Sequence, residues 1–178
     1  RPAAQALRWA TFERSLDADI LRDYLGKLDA FVDEEERNRA FAFAASSPQP
    51  YSALAFFLAW PALERAARLV MDRRAEWDGR HYDLLGSAAA TLEFDFPLAA
   101  TVLYRALLAD ILGRGKSQAY RHGVRYLAKL AELAERLPPG ASDLPDHDAY
   151  CADIKKAHGR KSGFWALVDS RSLPSPGG

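Results

Sequence analysis

Few side chains in this sequence are spaced so that they could do chemistry together. His147, Cys151, Ile154 and His158 fall at i, i+4, i+7 and i+11, one stripe of a helix. An imidazole one turn from a thiol could deprotonate it, or the two could share a metal. His158 lies two turns past Cys151, about 10 Å along a helix axis, so one metal could not take all three ligands without bending the helix. Cys151 is the one cysteine, and His81 and His122 are distant in sequence. The stripe therefore reads as a buried face in which Cys151 and Ile154 pack, a common place for a free cysteine. No catalytic residue, metal site or cofactor is expected.

Paired carboxylates could imitate a general acid and base, and Asp17 with Asp19 or Glu34 with Glu36 have that form. Both pairs sit where helices begin, and there acidic residues serve capping and the helix dipole. RGKS, Arg114 to Ser117, resembles the end of a phosphate-binding loop. It lacks the upstream glycine at the required spacing and any strand before it.

Two basic features carry more. Arg121, Arg125 and Lys129 recur at i, i+4 and i+8, with His122 and Tyr126 alongside. On an inner helix of a hairpin array such a stripe lines a groove that holds an acidic peptide or a terminal carboxylate. On an outer helix it is a solvated face paired with Glu132 and Glu135. HGRKSGFW, His158 to Trp165, sets basic groups against two large aromatics. His158, Lys161, Phe164 and Trp165 are expected to form a clasp that docks the C-terminal segment on the last helices. Gly159 and Gly163 would provide the turns, and Lys155, Lys156, Arg160 and Lys161 would ring the dock. The other uses of this segment are protein binding, or stacking on a nucleic-acid base with the cations on phosphates.

The bulk composition restricts what these features can mean. A chain of 178 residues with 49% hydrophobic and 27% charged residues is globular. It carries 24 basic and 24 acidic residues, which argues against wrapping nucleic acid as the main task. The longest apolar run, Ala53 to Leu63, contains Pro61 and is too short to span a bilayer, so no membrane association is expected. A lone cysteine fits a reduced, cytoplasmic setting. The start, RPAAQ, lacks an initiator Met, so the chain is expected to be the C-terminal part of a longer protein.

The elements that must position these residues all read as helix. Ala, Leu, Arg and Glu dominate, and no run alternates with period two. Asp17 caps a helix with Ile20, Leu21, Tyr24, Leu25 and Leu28 on one face. The acidic run Asp33 to Glu36 opens a helix through about Ala45, and a short apolar helix spans Tyr51 to Ala59. Pro61 is expected in the first turn of a helix carrying Leu63, Ala66, Ala67, Val70 and Met71, which Asp78-Gly79 ends. Next come helices with Leu85, Ala88, Ala89 and Leu92, with Tyr104, Leu107, Leu108, Ile111 and Leu112, and with Tyr120, Val124, Leu127, Ala131 and Ala134. The last helix runs from about Asp146 to His158. AWPALERAARLV and DFPLAATVLYRALL both start at an aromatic-Pro step, with Pro61 and Pro97 36 positions apart, and each follows a helix rich in small residues. That alternation at a period near 34 to 36 has the form of tetratricopeptide repeats. The expected fold is an all-α, tetratricopeptide-like helix-hairpin array, with a closed helical bundle as the alternative. Residues 1–171 are read as a single domain and 172–178 as a flexible tail.

YLGKL, AWPALERAARLV, HYDLLGSAAATLE, PLAATVLYRALL, RHGVRYLAKLAEL and HGRKSGFWALV together resemble an uncharacterised bacterial family, a domain of unknown function with a tetratricopeptide-like helical fold. The closing His-x-x-Lys-x-x-Phe-Trp is its most distinctive piece, and it is also similar to the helical regions of some SWIM-type zinc-finger proteins. The finger itself needs several cysteines and is not in this sequence. The resemblance implies a fold and brings no catalytic residues. The function expected is protein–protein interaction or scaffolding, with an unknown protein or acidic peptide as partner. An auxiliary nucleic-acid contact through the basic C-terminal region is the alternative, and an enzyme using the His and Cys residues the third.

Overall fold

A computed structural model describes residues 2–172. Among them are ten α-helices, one 3-10 turn and no strand, so the protein is all-α with helix-hairpin packing. The helices are α1 (Pro2–Ser15), α2 (Ala18–Leu25), α3 (Ala30–Ala45), α4 (Pro50–Ala59), α5 (Leu63–Asp72), α6 (Tyr82–Leu92), α7 (Pro97–Gly113), α8 (Tyr120–Arg136), α9 (His147–His158) and α10 (Ser162–Ser172). The helices group into two compact units, Arg1–Glu76 and Trp77–Gly178. Of the expected tail, Ser172 is the last helical residue and 173–178 lie outside the described residues.

The first unit is built around aromatic rings. Asp17 caps α2 as its sequence predicts, accepting from the backbone N–H of Asp19 at 2.8 Å and of Ile20 at 3.2 Å. Leu21, Tyr24 and Leu25 are then buried, and Ile20 and Leu28 half-buried. At the centre, the Phe56 ring lies 5.4 Å from Phe12, 5.8 Å from Phe41 and 5.2 Å from Phe57, centroid to centroid. Tilted and edge-on rings at such distances satisfy the aromatic quadrupoles. Pro61 departs from expectation. It lies in the turn after α4, and α5 begins two residues later, at Leu63.

The second unit is built on aliphatic residues. Leu85, Ala88, Ala89 and Leu92 of α6 are buried as their spacing predicts, and α6 packs on α7. Pro97 occupies the first turn of α7, where its missing N–H costs nothing. Ten of the 17 residues of α7 are buried, so this helix is the axis of the unit. Gly79 does not end a helix, since α5 stops at Asp72. It lies against α7, where a Cβ would come within 2.4 Å of the Ala106 carbonyl oxygen and 2.6 Å of the Asp110 Cβ.

Further expectations in this unit are corrected, beginning with Cys151 and Ile154 of α9, which are half-buried where a buried face was expected. On α8, the second half buries Leu130 and Leu133. Leu127 and Ala134 are half-buried and Ala131 is exposed, so the apolar stripe is turned from the expected one. After α9, the chain forms a further helix, α10, that its Gly and Ser content had not suggested. Gly159 closes α9, but Gly163 lies within the first turn of α10 and makes no turn of its own.

Candidate functional site

The first turns of α8 and α10 meet through aromatic packing. Phe164 is fully buried, with its ring 5.7 Å from Tyr120 and 5.0 Å from Trp165, edge-on in both cases. Gly123 makes room for it: a Cβ there would stand 3.1 Å from the Phe164 ring and 3.2 Å from Leu108. Trp165 Nε1 donates to the His158 carbonyl oxygen at 2.9 Å, which ties α10 back to the end of α9. Lys161 Nζ lies 3.0 Å from His158 Nδ1, and Lys155 Nζ lies 5.6 Å from the Trp165 ring centre. Burial, and then the Lys161 charge, lower the pKa of His158, which favours the neutral ring that can accept from Lys161. The four residues expected to form the clasp are thus close together, and their aromatics are engaged by the protein itself.

The five residues of the basic stripe are in different situations. Arg121 and Arg125 are exposed. Arg125 Nη2 lies 2.7 Å from His122 Nδ1, an arrangement in which the imidazole accepts. Among the described residues neither guanidinium has a carboxylate within ion-pair distance. Lys129 differs, lying 3.5 Å from Glu93 and 3.4 Å from Glu132. Tyr126 is half-buried, 5.7 Å from Tyr104, whose hydroxyl donates to Glu93 at 2.8 Å. Burial and that carboxylate hold the Tyr104 phenol well above its ordinary pKa. The free cations of the stripe are therefore Arg121 and Arg125, while the Lys129 end is knitted to α6.

A family model for a family of unknown function, DUF6880, matches residues 1–167. The chain belongs to this family. No curated protein and no solved structure gave a significant match. Within this family member, the thiol and imidazole of α9 come close, with Cys151 Sγ 3.4 Å from His147 Nε2. Burial, and then Asp148, raise the thiol pKa. Burial, and then Arg105, lower that of the imidazole. Both shifts favour the neutral thiol–imidazole pair over the thiolate–imidazolium pair that a nucleophile needs. His158 is separate from them, held by Lys161 and Trp165. No group of three or more His, Cys, Asp or Glu able to hold a metal occurs among the described residues.

Arg105 of α7 was not singled out from sequence, yet it organises this neighbourhood. Its Nη2 donates to the Pro145 carbonyl oxygen at 2.8 Å, and its guanidinium stacks 4.4 Å from the Tyr150 ring centre. Burial lowers its pKa, as expected where a cation loses water. The signal was available: Arg105 is the only basic residue in a 17-residue helix that is otherwise almost wholly apolar. No helix among the described residues is long and apolar enough to cross a membrane.

Proposed function

We propose that the chain is a tetratricopeptide-like protein-interaction module whose partner presents an acidic segment to the exposed face of α8. The observation that carries this reading is the contrast along one stripe. Lys129 is neutralised by two carboxylates, while Arg121 and Arg125, one turn apart, have none. Two exposed guanidiniums at helical spacing suit bidentate contacts with carboxylates. The nearby corner of α9 and α10 adds Lys155, Lys156 and Arg160, all exposed.

The aromatic geometry favours a protein partner over nucleic acid. Phe164 is fully buried, and Trp165 is half-buried, hydrogen-bonded to His158 and has Lys155 over its ring, which leaves this pair poorly suited to stacking on a base. The neutral state favoured for Cys151 and His147 weighs against thiol catalysis.

The test is capture from native lysate by the folded wild type and by an Arg121→Glu/Arg125→Glu variant, followed by binding of the captured species at rising salt. A protein retained by wild type and lost by the variant supports the reading. Equal retention by both removes the α8 face as the site. Capture of nucleic acid, with affinity falling linearly in log salt, replaces the reading with the nucleic-acid one.

A further inference from the structure

The second unit contains a cavity of about 520 Å³, between α7, α8, the segment 137–146 and the start of α9. This lies within the roughly 300–1,000 Å³ of small-molecule sites. It is separate from the basic stripe, none of whose five residues lines it. Its lining is asymmetric. Leu98, Leu130, Ala134, Leu137 and Leu144 make most of its surface apolar, and Arg105 and His147 meet where α7 faces the start of α9. Leu98, Thr101 and Arg105 lie on successive turns of α7, so the apolar residue and the cation are about 10 Å apart along the helix.

Arg105 is unusual here. Among the described residues its guanidinium has one hydrogen bond, from Nη2 to Pro145, and no carboxylate within ion-pair distance. Its Nε is buried without a partner, and so is the hydroxyl of Tyr150, the ring on which it stacks. These are the two buried side-chain polar atoms found unpartnered among the described residues, and both fall in one cluster. The guanidinium as a whole is half-buried, and a buried N–H donor left without a partner costs free energy that an acceptor on a ligand would offset.

We propose that this cavity binds a small organic acid, with a single carboxylate on Arg105 and an apolar body along Leu98, Leu130 and Leu137. The charges around it favour one carboxylate over a phosphate. Glu135, Asp146 and Asp148 also line the cavity. Asp146 is engaged as the cap of α9, accepting from Ala149 N–H at 2.8 Å, and Glu135 and Asp148 are exposed. With carboxylates on the same lining, a dianion is repelled more than a monoanion, and the apolar side chains of Leu98, Leu130 and Leu137 are there for the rest of the ligand. The lowered pKa of His147 leaves a neutral ring that can donate one further hydrogen bond.

Sodium octanoate is the probe, titrated by calorimetry into the folded chain, with octanol and octylamine as controls of equal length. Saturable one-to-one binding of octanoate is expected, with both controls at least tenfold weaker. Arg105→Met should weaken octanoate at least tenfold. If that variant fails to fold, Arg105→Lys and Ala134→Phe decide. Lys keeps the charge and loses the fork, and Phe fills the apolar end with Arg105 intact. Both should lose at least threefold in affinity while keeping wild-type circular dichroism. Octylamine or octanol binding as tightly as octanoate, folded variants binding like wild type, or no saturation with the wild type would each overturn the proposal.

Discussion

The two units hold themselves together by different means. In the first, Phe12, Phe41, Phe56 and Phe57 interlock, and Arg22 and Arg39 stack over Trp60 and Trp9. In the second, α7 buries ten residues, mostly aliphatic, and a cavity lies beside them. Ring clusters depend on angle and offset as well as area, whereas aliphatic cores accept replacements of equal volume. The difference has a functional side. The unpaired guanidiniums of Arg105, Arg121 and Arg125, the thiol and all four histidines lie in the second unit. The aliphatic core tolerates a cavity and a half-buried cation next to it.

Breaking the comparison starts with its largest effect. Phe56→Ala removes the ring that touches Phe12, Phe41, Phe57 and Trp60, and should cost near the top of the about 3–5 kcal/mol range for such deletions. Chemical denaturation measures it. Phe164→Ala should cost about 3–4 kcal/mol, and amide exchange should show α10 losing protection while α2 and α4 keep theirs. Leu103→Met, in the middle of α7, should cost less than about 1.5 kcal/mol, because volume is kept and no ring geometry is involved. A larger loss at Leu103 than at Phe56 would invert the comparison.

Acid should act on one unit. His147 and His158 have folded-state pKa values below the ordinary histidine value, because burial opposes their charge. The unfolded chain therefore takes up protons first, near the ordinary value of about 6.5. Stability is complete above that pH and falls as pH drops below it. Amide exchange at pH 7.5 and 5.5, corrected for intrinsic rates, should show protection lost in α9 and α10. The first unit contains no histidine and should keep its own. His147→Gln with His158→Gln should flatten the response. The smallest effect is that of Arg121→Glu/Arg125→Glu on stability, within about ±0.5 kcal/mol, as for exposed surface sites.

Much of the fold was legible because local rules and burial agreed. The Asp17 cap, the α6 stripe and Pro97 at the head of α7 each follow from one residue type in the position that favours it. Pro61 misled because the same aromatic-Pro step serves as a turn in one place and a helix start in another, and packing decides which. The α10 helix was hidden by Gly163, which costs about 1 kcal/mol in a helix against Ala and is outweighed once Phe164 is buried. The shifted stripe on α8 has a tertiary cause: Ala131 and Ala134 line the cavity, and a helix wheel cannot show a space that a loop creates. Arg105 was overlooked for a related reason. Its meaning depends on Pro145 and Tyr150, 40 and 45 positions along the chain.

The measurement that bears most directly on the account is a fluorescence titration of a glutamate-rich peptide against wild type and the Arg121→Glu/Arg125→Glu variant at moderate salt. The account predicts saturable binding by wild type and at least tenfold weaker binding by the variant, with unchanged circular dichroism. Equal affinity for the two proteins would contradict it and leave the exposed cations of α8 as a solvated face.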